Sequence, residues 1–270
     1  MTATAVTPSD RIADEPVRLS WVVSDALAIA RRNLIALFRV PTTLVFSTIQ
    51  PVIFVLMFRY VFGGAIHAPG FTYVDFLMPG IFVQTVTFGS TNTGIGLAED
   101  LQKGLIERFR SLPMARSAVL AGRTIADLAR NVLVVTIMVV VGFMVGFRVQ
   151  TNLLEFLAAI GLMLLFGVAM SWVMAWVGLM TGTAEAAQAA SFPFMAVLVF
   201  ASDCFVPTKT MPGWLQAYSN HQPVTATCDA LRALLHGGPT PGHVLAALAW
   251  MVGIIAVFAP LAVRRYRRTT

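Results

Sequence analysis

Six apolar runs, each close to the thickness of a bilayer, constrain this chain more than anything else in it. They cover roughly 43–62, 74–97, 124–147, 154–180, 187–206 and 244–263. A helix needs about 20 apolar residues to cross the ~30 Å hydrocarbon core. Lipid offers no hydrogen bonds, so a spanning segment of this kind must satisfy its own backbone as a helix. The expected fold is therefore an all-α membrane protein with six transmembrane helices. Composition agrees, with 12% charged residues against roughly 25% in soluble domains. A net charge of +6 would suit nucleic acid, but the basic residues cluster beside apolar runs. The expected partner is thus the lipid bilayer, with no nucleic acid.

The basic residues also set an orientation. One side of the expected topology holds Arg11, Arg18, Arg31, Arg32, Arg39, Lys103, Arg108, Arg110, Arg116, Arg123 and the closing RRYRR. The other holds Arg148, Lys209 and Arg232. Both termini are expected in the cytoplasm. Residues 1–18 read as a mobile polar tail without an apolar core, so no cleavable signal peptide is expected and the first span serves as insertion signal. Residues 19–41 carry apolar positions at helical spacing with Arg31, Arg32 and Arg39 near the end. They are too charged to span and suit a helix lying in the interface. Residues 264–270 form a basic cytoplasmic tail.

The largest cytoplasmic stretch is Glu99 to Arg123. Leu101, Leu105, Phe109 and Leu112 fall on one face of a helix, with Glu99, Lys103, Glu107 and Arg110 opposite as helix-neighbour pairs. Arg108 joins the charged set, and Pro113 ends the helix. The pattern fits either an amphipathic loop helix or a docking helix for a cytoplasmic partner. Nowhere does the sequence contain G-x-x-x-x-G-K-[ST], so no Walker phosphate loop is present.

Within the spans, Pro51 removes a backbone donor, and Arg59 lies near enough to the outer surface to snorkel. Gly80, Gln84, Thr87, Thr91 and Gly94 share a sector of the second span. That sector suits helix packing or a substrate path or subunit seam. Asp127 and Arg130 pair at the entry of the third span. Asn152 and Glu155 have capping-box spacing at the start of the fourth, and Gly167, Ser171 and Ala175 give it a small-residue stripe. With the ionisable residues read as lying near span ends, an apolar lining without buried charge is expected. This points to a hydrophobic or amphipathic substrate.

On the outer side, Phe205 to Gly238 predicts one short helix over Pro212–Tyr218 and a longer one over Val224–His236. Pro223 stands near the start of the second and Gly237–Gly238 at its stop. Thirteen residues rise ~20 Å, too little to cross, so the pair is expected to dip into the outer leaflet and return. Trp214 suits the interface. Cys204 and Cys228 read as two small buried side chains, although a disulfide is chemically permitted on that side.

Four segments in order, QPVIFVLMFRYVFGGAI, YVDFLMPGIFVQ, EDLQKGLIERFRSLPMARSAVLAGR and FVPTKTMPGWLQAYSNHQPVTATCDALRALLHGG, resemble the ABC-2 type permeases. They are most similar to the daunorubicin-resistance (DrrB/DrrC-like) branch of actinobacterial ABC exporters. The resemblance implies one ABC-2 type transmembrane domain over 42–263 in a bacterial cell membrane. This domain would pair with a second copy or a sister permease (a homo- or heterodimer) and with ABC ATPase subunits. It implies that 19–41 is the connecting helix, that Leu101–Leu112 couples to the ATPase, and that Pro212, Trp214, Pro223 and Arg232 belong to an external re-entrant hairpin. No cofactor would be bound by this chain; ATP and Mg would sit on the partner ATPase. Asp203 departs from the pattern, and the resemblance assigns it no role. The rival readings are an ion-coupled secondary transporter, which needs an intramembrane ionisable residue, an intramembrane enzyme, which needs a nucleophile–base pair, and a non-transporting scaffold.

Overall fold

The structure is a computed structural model that describes residues 41–63, 72–104 and 116–268, with side chains over 48–63, 72–104 and 124–266. The expected connecting helix, with Arg31, Arg32 and Arg39, lies outside the described residues, as do Leu105, Glu107, Arg108, Phe109, Arg110, Leu112 and Pro113.

Every regular element among the described residues is helical. Helix α1 is Pro41–Met57, continued by a π-helical turn over Phe58–Phe62. Its last turns carry an aromatic stack: Phe58 lies 4.7 Å from Phe205 ring to ring, and Phe54 lies 6.1 Å from Phe205. Helix α2, Tyr73–Gly89, is buried from Tyr73 to Thr87. It touches α1 and most of the helices that follow it. At Ser90 the chain breaks and restarts as α3, Thr91–Gln102. The expected second span, 74–97, is therefore two helices. Ser90 and Thr91 both turn their hydroxyls back onto carbonyls three residues earlier, an alternative to the helical ladder that serine and threonine offer.

Helix α3 ends at Gln102, and Gly104 follows in the left-handed region at φ 66°, a conformation glycine adopts at low cost after a helix. The expected unbroken helix through Glu99–Leu112 is corrected there: Leu101 belongs to α3. The exposed Lys103–Glu99 pair forms at 3.1 Å.

Helices α4 (Arg116–Val145), α5 (Leu153–Thr181), α6 (Ala184–Phe200) and α9 (Thr240–Arg268) complete the bundle. The Asn152 side chain accepts from the Glu155 N–H at 2.9 Å, the forward half of the expected capping box. Among the described residues, α4, α5 and α9 contain spans long and apolar enough to cross a membrane, whereas Thr48–Phe62 and Ala184–Phe200 are shorter apolar helices. The fifth run thus stops being helical at Phe200, and Ser202–Val206 is a bend. Between α6 and α9 lie a 3-10 turn at Thr208–Thr210, α7 (Gly213–Asn220) and α8 (Pro223–His236), close to the two helices expected there.

Helix α5 is the common neighbour, touching α2, α3, α4, α6, α8 and α9. Its seam with α3 is backbone against backbone. A Cβ on Gly178 would lie 2.2 Å from the Gly94 carbonyl oxygen, and one on Gly94 would lie 2.5 Å from that of Met174. Gly178→Ala is expected to cost about 1–3 kcal/mol through overpacking. A thermal melt in detergent checks this, with Gly161→Ala as control because that position has open space beside it.

Candidate functional site

The breaks and close approaches of these helices leave a cavity of about 550 Å³ between α1, α2, α3, α4 and α6. Polar side chains reach it from every wall: Gln50 from α1, Gln84 and Thr85 from α2, Thr91 and Asn92 from α3, Arg130 and Asn131 from α4, and Gln188 and Ser191 from α6. Pro51, Phe88, Ile95, Val134 and Phe192 supply the apolar part. Thr85 and Ser191 each donate their hydroxyl proton to a carbonyl of their own helix, and Thr91 to the Phe88 carbonyl at the end of α2, at 2.6–2.7 Å. Their remaining capacity is acceptor capacity. Gln84 differs, being 2% exposed with no hydrogen-bond partner for Oε1 among the described residues. A buried acceptor left so costs about 1–3 kcal/mol, and this one borders a space large enough for a ligand group to satisfy it.

Arg130 closes the α4 wall. Its guanidinium donates to the Gly89 carbonyl at the end of α2 and lies 3.7 Å from Asp127. Thr93 of α3 in turn donates to Asp127 and contacts Ser171 Oγ of α5 at 3.3 Å. The break between α2 and α3 is thus held from α4 on both sides, at Gly89 and at Thr93. The expected Asp127–Arg130 pair is present, with Arg130 buried and Asp127 half-buried.

A second pair, with both partners buried, lies at the other informative stretch. Arg232 of α8 forms an ion pair with Asp203 in the bend after α6, with side-chain exposures of 7% and 9%. Its Nη2 donates to the Asp203 carbonyl at 2.7 Å and its Nε to the Phe76 carbonyl at 3.2 Å. The guanidinium carbon sits 3.8 Å over the Phe76 ring, a cation–π arrangement. Asp203, without a role in the sequence, is the counter-ion that makes a buried Arg232 tolerable. The expectation of no buried charge is overturned at both pairs: in the interior, charges are retained when paired and hydrogen-bonded.

The rest of the hairpin docks through neighbouring bonds. Thr151 donates to Leu234 O at 2.6 Å, and Gln150 N–H to Leu235 O at 2.9 Å. The His236 ring nitrogen Nε2 lies 3.0 Å from the Asp75 carbonyl. Burial lowers the His236 pKa from 6.5, outweighing the opposing pull of Asp75. Pro212 caps α7, Trp214 is 75% exposed beside it, and Pro223 opens α8.

The remaining expected site residues separate. Gln84 and Thr91 line the cavity, but Thr87 does not: it is fully buried and donates to Val83 O at 2.6 Å. Leu101 packs onto the cluster of Leu97, Ala175, Leu179, Ala262 and Tyr266. Gln50, Asn131 and Gln188 were not singled out by pattern. The available signal was a strongly polar side chain inside an apolar run.

Comparisons with known proteins place this geometry. Residues 25–236 match the family model described as ABC-2 type transporter. The chain is 35% identical over 254 residues to the daunorubicin resistance ABC transporter permease protein DrrB1 of Streptomyces coeruleorubidus, covering 94% of this chain and 89% of that one. It is 28% identical to the probable doxorubicin resistance ABC transporter permease protein DrrC of Mycobacterium tuberculosis, covering 98% of both. A putative transport permease, ycf38 of Cyanophora paradoxa, is 25% identical over 79% of this chain and 75% of its own length. With long apolar helices and a match across most of its length, the chain belongs to the ABC-2 type transporter family, as a multi-pass membrane permease subunit that is served by separate ABC ATPase subunits and is not itself the ATPase.

Proposed function

We propose that this permease exports a hydrophobic or amphipathic drug, antibiotic or lipid from a bacterial cell, with the cavity at Gln84 receiving the cargo's polar group. The unpartnered, buried Oε1 of Gln84 facing that space carries the reading. Two relatives named for daunorubicin or doxorubicin resistance support the cargo class. The polar lining moves the expectation from a purely hydrophobic cargo to one bearing hydrogen-bonding groups.

In this reading the chain crosses the membrane six times with both termini in the cytoplasm, and α7 and α8 form a re-entrant hairpin at the outer leaflet. Two permease copies, or this chain and a sister permease, assemble with two ATPase subunits that hold ATP and magnesium. The segment from Leu105 to Pro113, with Leu101 anchored in α3, docks on the ATPase. Arg31, Arg32 and Arg39 lie along the interface. ATP-driven closure of the ATPases moves α3, and α3 opens the cavity outward.

The test is reconstitution of the permease with its ATPase in vesicles, with ATP hydrolysis and cargo movement measured together. Glu107→Ala or Arg108→Ala combined with Phe109→Ala is expected to leave hydrolysis within about twofold and reduce transport at least tenfold. Full coupling in these variants would refute the docking assignment.

A further inference from the structure

Cys204 and Cys228 are 24 positions apart in sequence, yet their Sγ atoms lie 3.2 Å from each other, and both residues are fully buried. Cys204 sits in the bend after α6, where its N–H bonds to Ser202 Oγ at 3.2 Å. Its carbonyl is pressed against α2 so closely that a Cβ on Gly80 would lie 2.0 Å from it. Cys228 is in mid-α8, one turn before Arg232. The two sulfurs are therefore presented by backbones held on independent sides. These are the only cysteines in the sequence, so pairing within the chain has a single solution. A disulfide sets its sulfurs at about 2.05 Å, so closure asks for an approach of roughly 1.2 Å.

We propose that Cys204 and Cys228 are a modification site that closes to a disulfide, fastening the outer hairpin to the end of α6 beside the Asp203–Arg232 pair. The inference rests on the outward placement of the hairpin proposed above, because thiols persist as disulfides on the oxidising side of a membrane. The oxidant is a disulfide-bearing exchange catalyst or small disulfide of that compartment. One cysteine thiolate attacks a sulfur of the oxidant's disulfide and releases the other sulfur as a thiolate. The second cysteine thiolate then attacks the mixed disulfide and releases the remaining sulfur. The two cysteines lose two electrons and two protons in total, and the oxidant leaves as two thiols. With both sulfurs enclosed, exchange takes place while α8 is docking, and the finished bond is shielded from reductants. The closed loop contains the 3-10 turn and α7, so it restricts the most exposed part of the hairpin.

The experiment alkylates free thiols at lysis, denatures the full chain and counts maleimide labels added with and without reductant. The expected result is no label without reductant and two with it, together with one cross-linked peptide by mass spectrometry. Cys204→Ser and Cys228→Ser should each expose one free thiol. Reductant should lower the melting temperature of the parent but not of the double serine variant. A reporter inserted at Gly237–Gly238 gives the side of the membrane separately. If the reporter is outside and both thiols are free, the proposal is overturned. If it is inside, the orientation reading fails, and diamide present during cell-free synthesis of the chain into detergent, while α8 is docking, decides the pair. Loss of both thiols there upholds the pairing, and retention of both overturns it.

Discussion

Arg232→Ala is expected to remove most of the folded protein from the membrane and to lower the melting temperature of the remainder by on the order of 10 °C. The side chain holds three elements at once: the bend after α6 through Asp203, α2 through the Phe76 carbonyl and ring, and its own helix α8. Truncation leaves the Asp203 carboxylate buried without its counter-ion and removes the guanidinium donor from the Asp203 and Phe76 carbonyls. Breaking one partner out of a buried pair costs about 3–5 kcal/mol, a large part of the roughly 5–15 kcal/mol that keeps a domain folded. A kilocalorie moves the midpoint of a domain this size by about 2–4 °C. Asp203→Ala should fall in the same range. The double variant Asp203→Leu/Arg232→Met should recover much of the loss, since exchanging a whole buried pair for apolar side chains is often neutral or stabilising. Thermal melts with size-exclusion profiles in detergent check all three. Singles that melt with the parent would show that the pair bears no part of the stability.

The second large effect is one of opposite signs. Gln84→Leu removes a buried acceptor that has no partner, so the folded protein should be unchanged or stabilised by up to about 1–3 kcal/mol. The same substitution removes the group proposed to meet the cargo. A lost hydrogen bond of about 1–3 kcal/mol corresponds to roughly 5–150-fold, so transport at low cargo concentration should fall at least fivefold while the ATPase complex still assembles. Thr87→Val is the paired control. Thr87 is one turn from Gln84 on the same helix but is packed away from the cavity, and its transport should stay within twofold. Equal losses in both variants would show that the helix face acts through packing, and an unchanged Gln84→Leu would remove the cavity from the cargo path.

What could be read from the residues follows the range of the forces involved. Hydropathy is local, so the apolar runs over α4, α5 and α9 appear in the sequence almost at their final bounds. Caps are equally local: Asn152 and Gly237 stand where α5 begins and α8 ends. The break at Ser90 was hidden because Thr91, Thr93 and Gly94 are also what a tightly packed membrane helix uses. Only the backbone contact of Gly94 with α5, and the grip of α4 on Gly89 and Thr93, distinguish the two cases. The Asp203–Arg232 pair joins positions 29 apart, and no periodicity links residues across a bend and two helices. Burial had to be known before that arginine could be separated from one facing water. The cavity is less legible still, since five helices contribute to it and no one of them carries a recognisable motif.

The glycine seam between α3 and α5 gives the molecule a stiff push-rod. From Leu101 to Thr91 the helix spans about 15 Å at 1.5 Å per residue. Along it, Gly94 and Gly178 meet backbone to backbone, where no side chain can change rotamer to absorb a displacement. At one end Leu101 leads into the stretch proposed to dock on the ATPase, and at the other Thr91 and Asn92 are themselves part of the cavity wall. In the proposed coupling, movement entering at Leu101 would therefore reach the chamber with little mechanical slack, and the chamber's volume would be geared to the position of the rod.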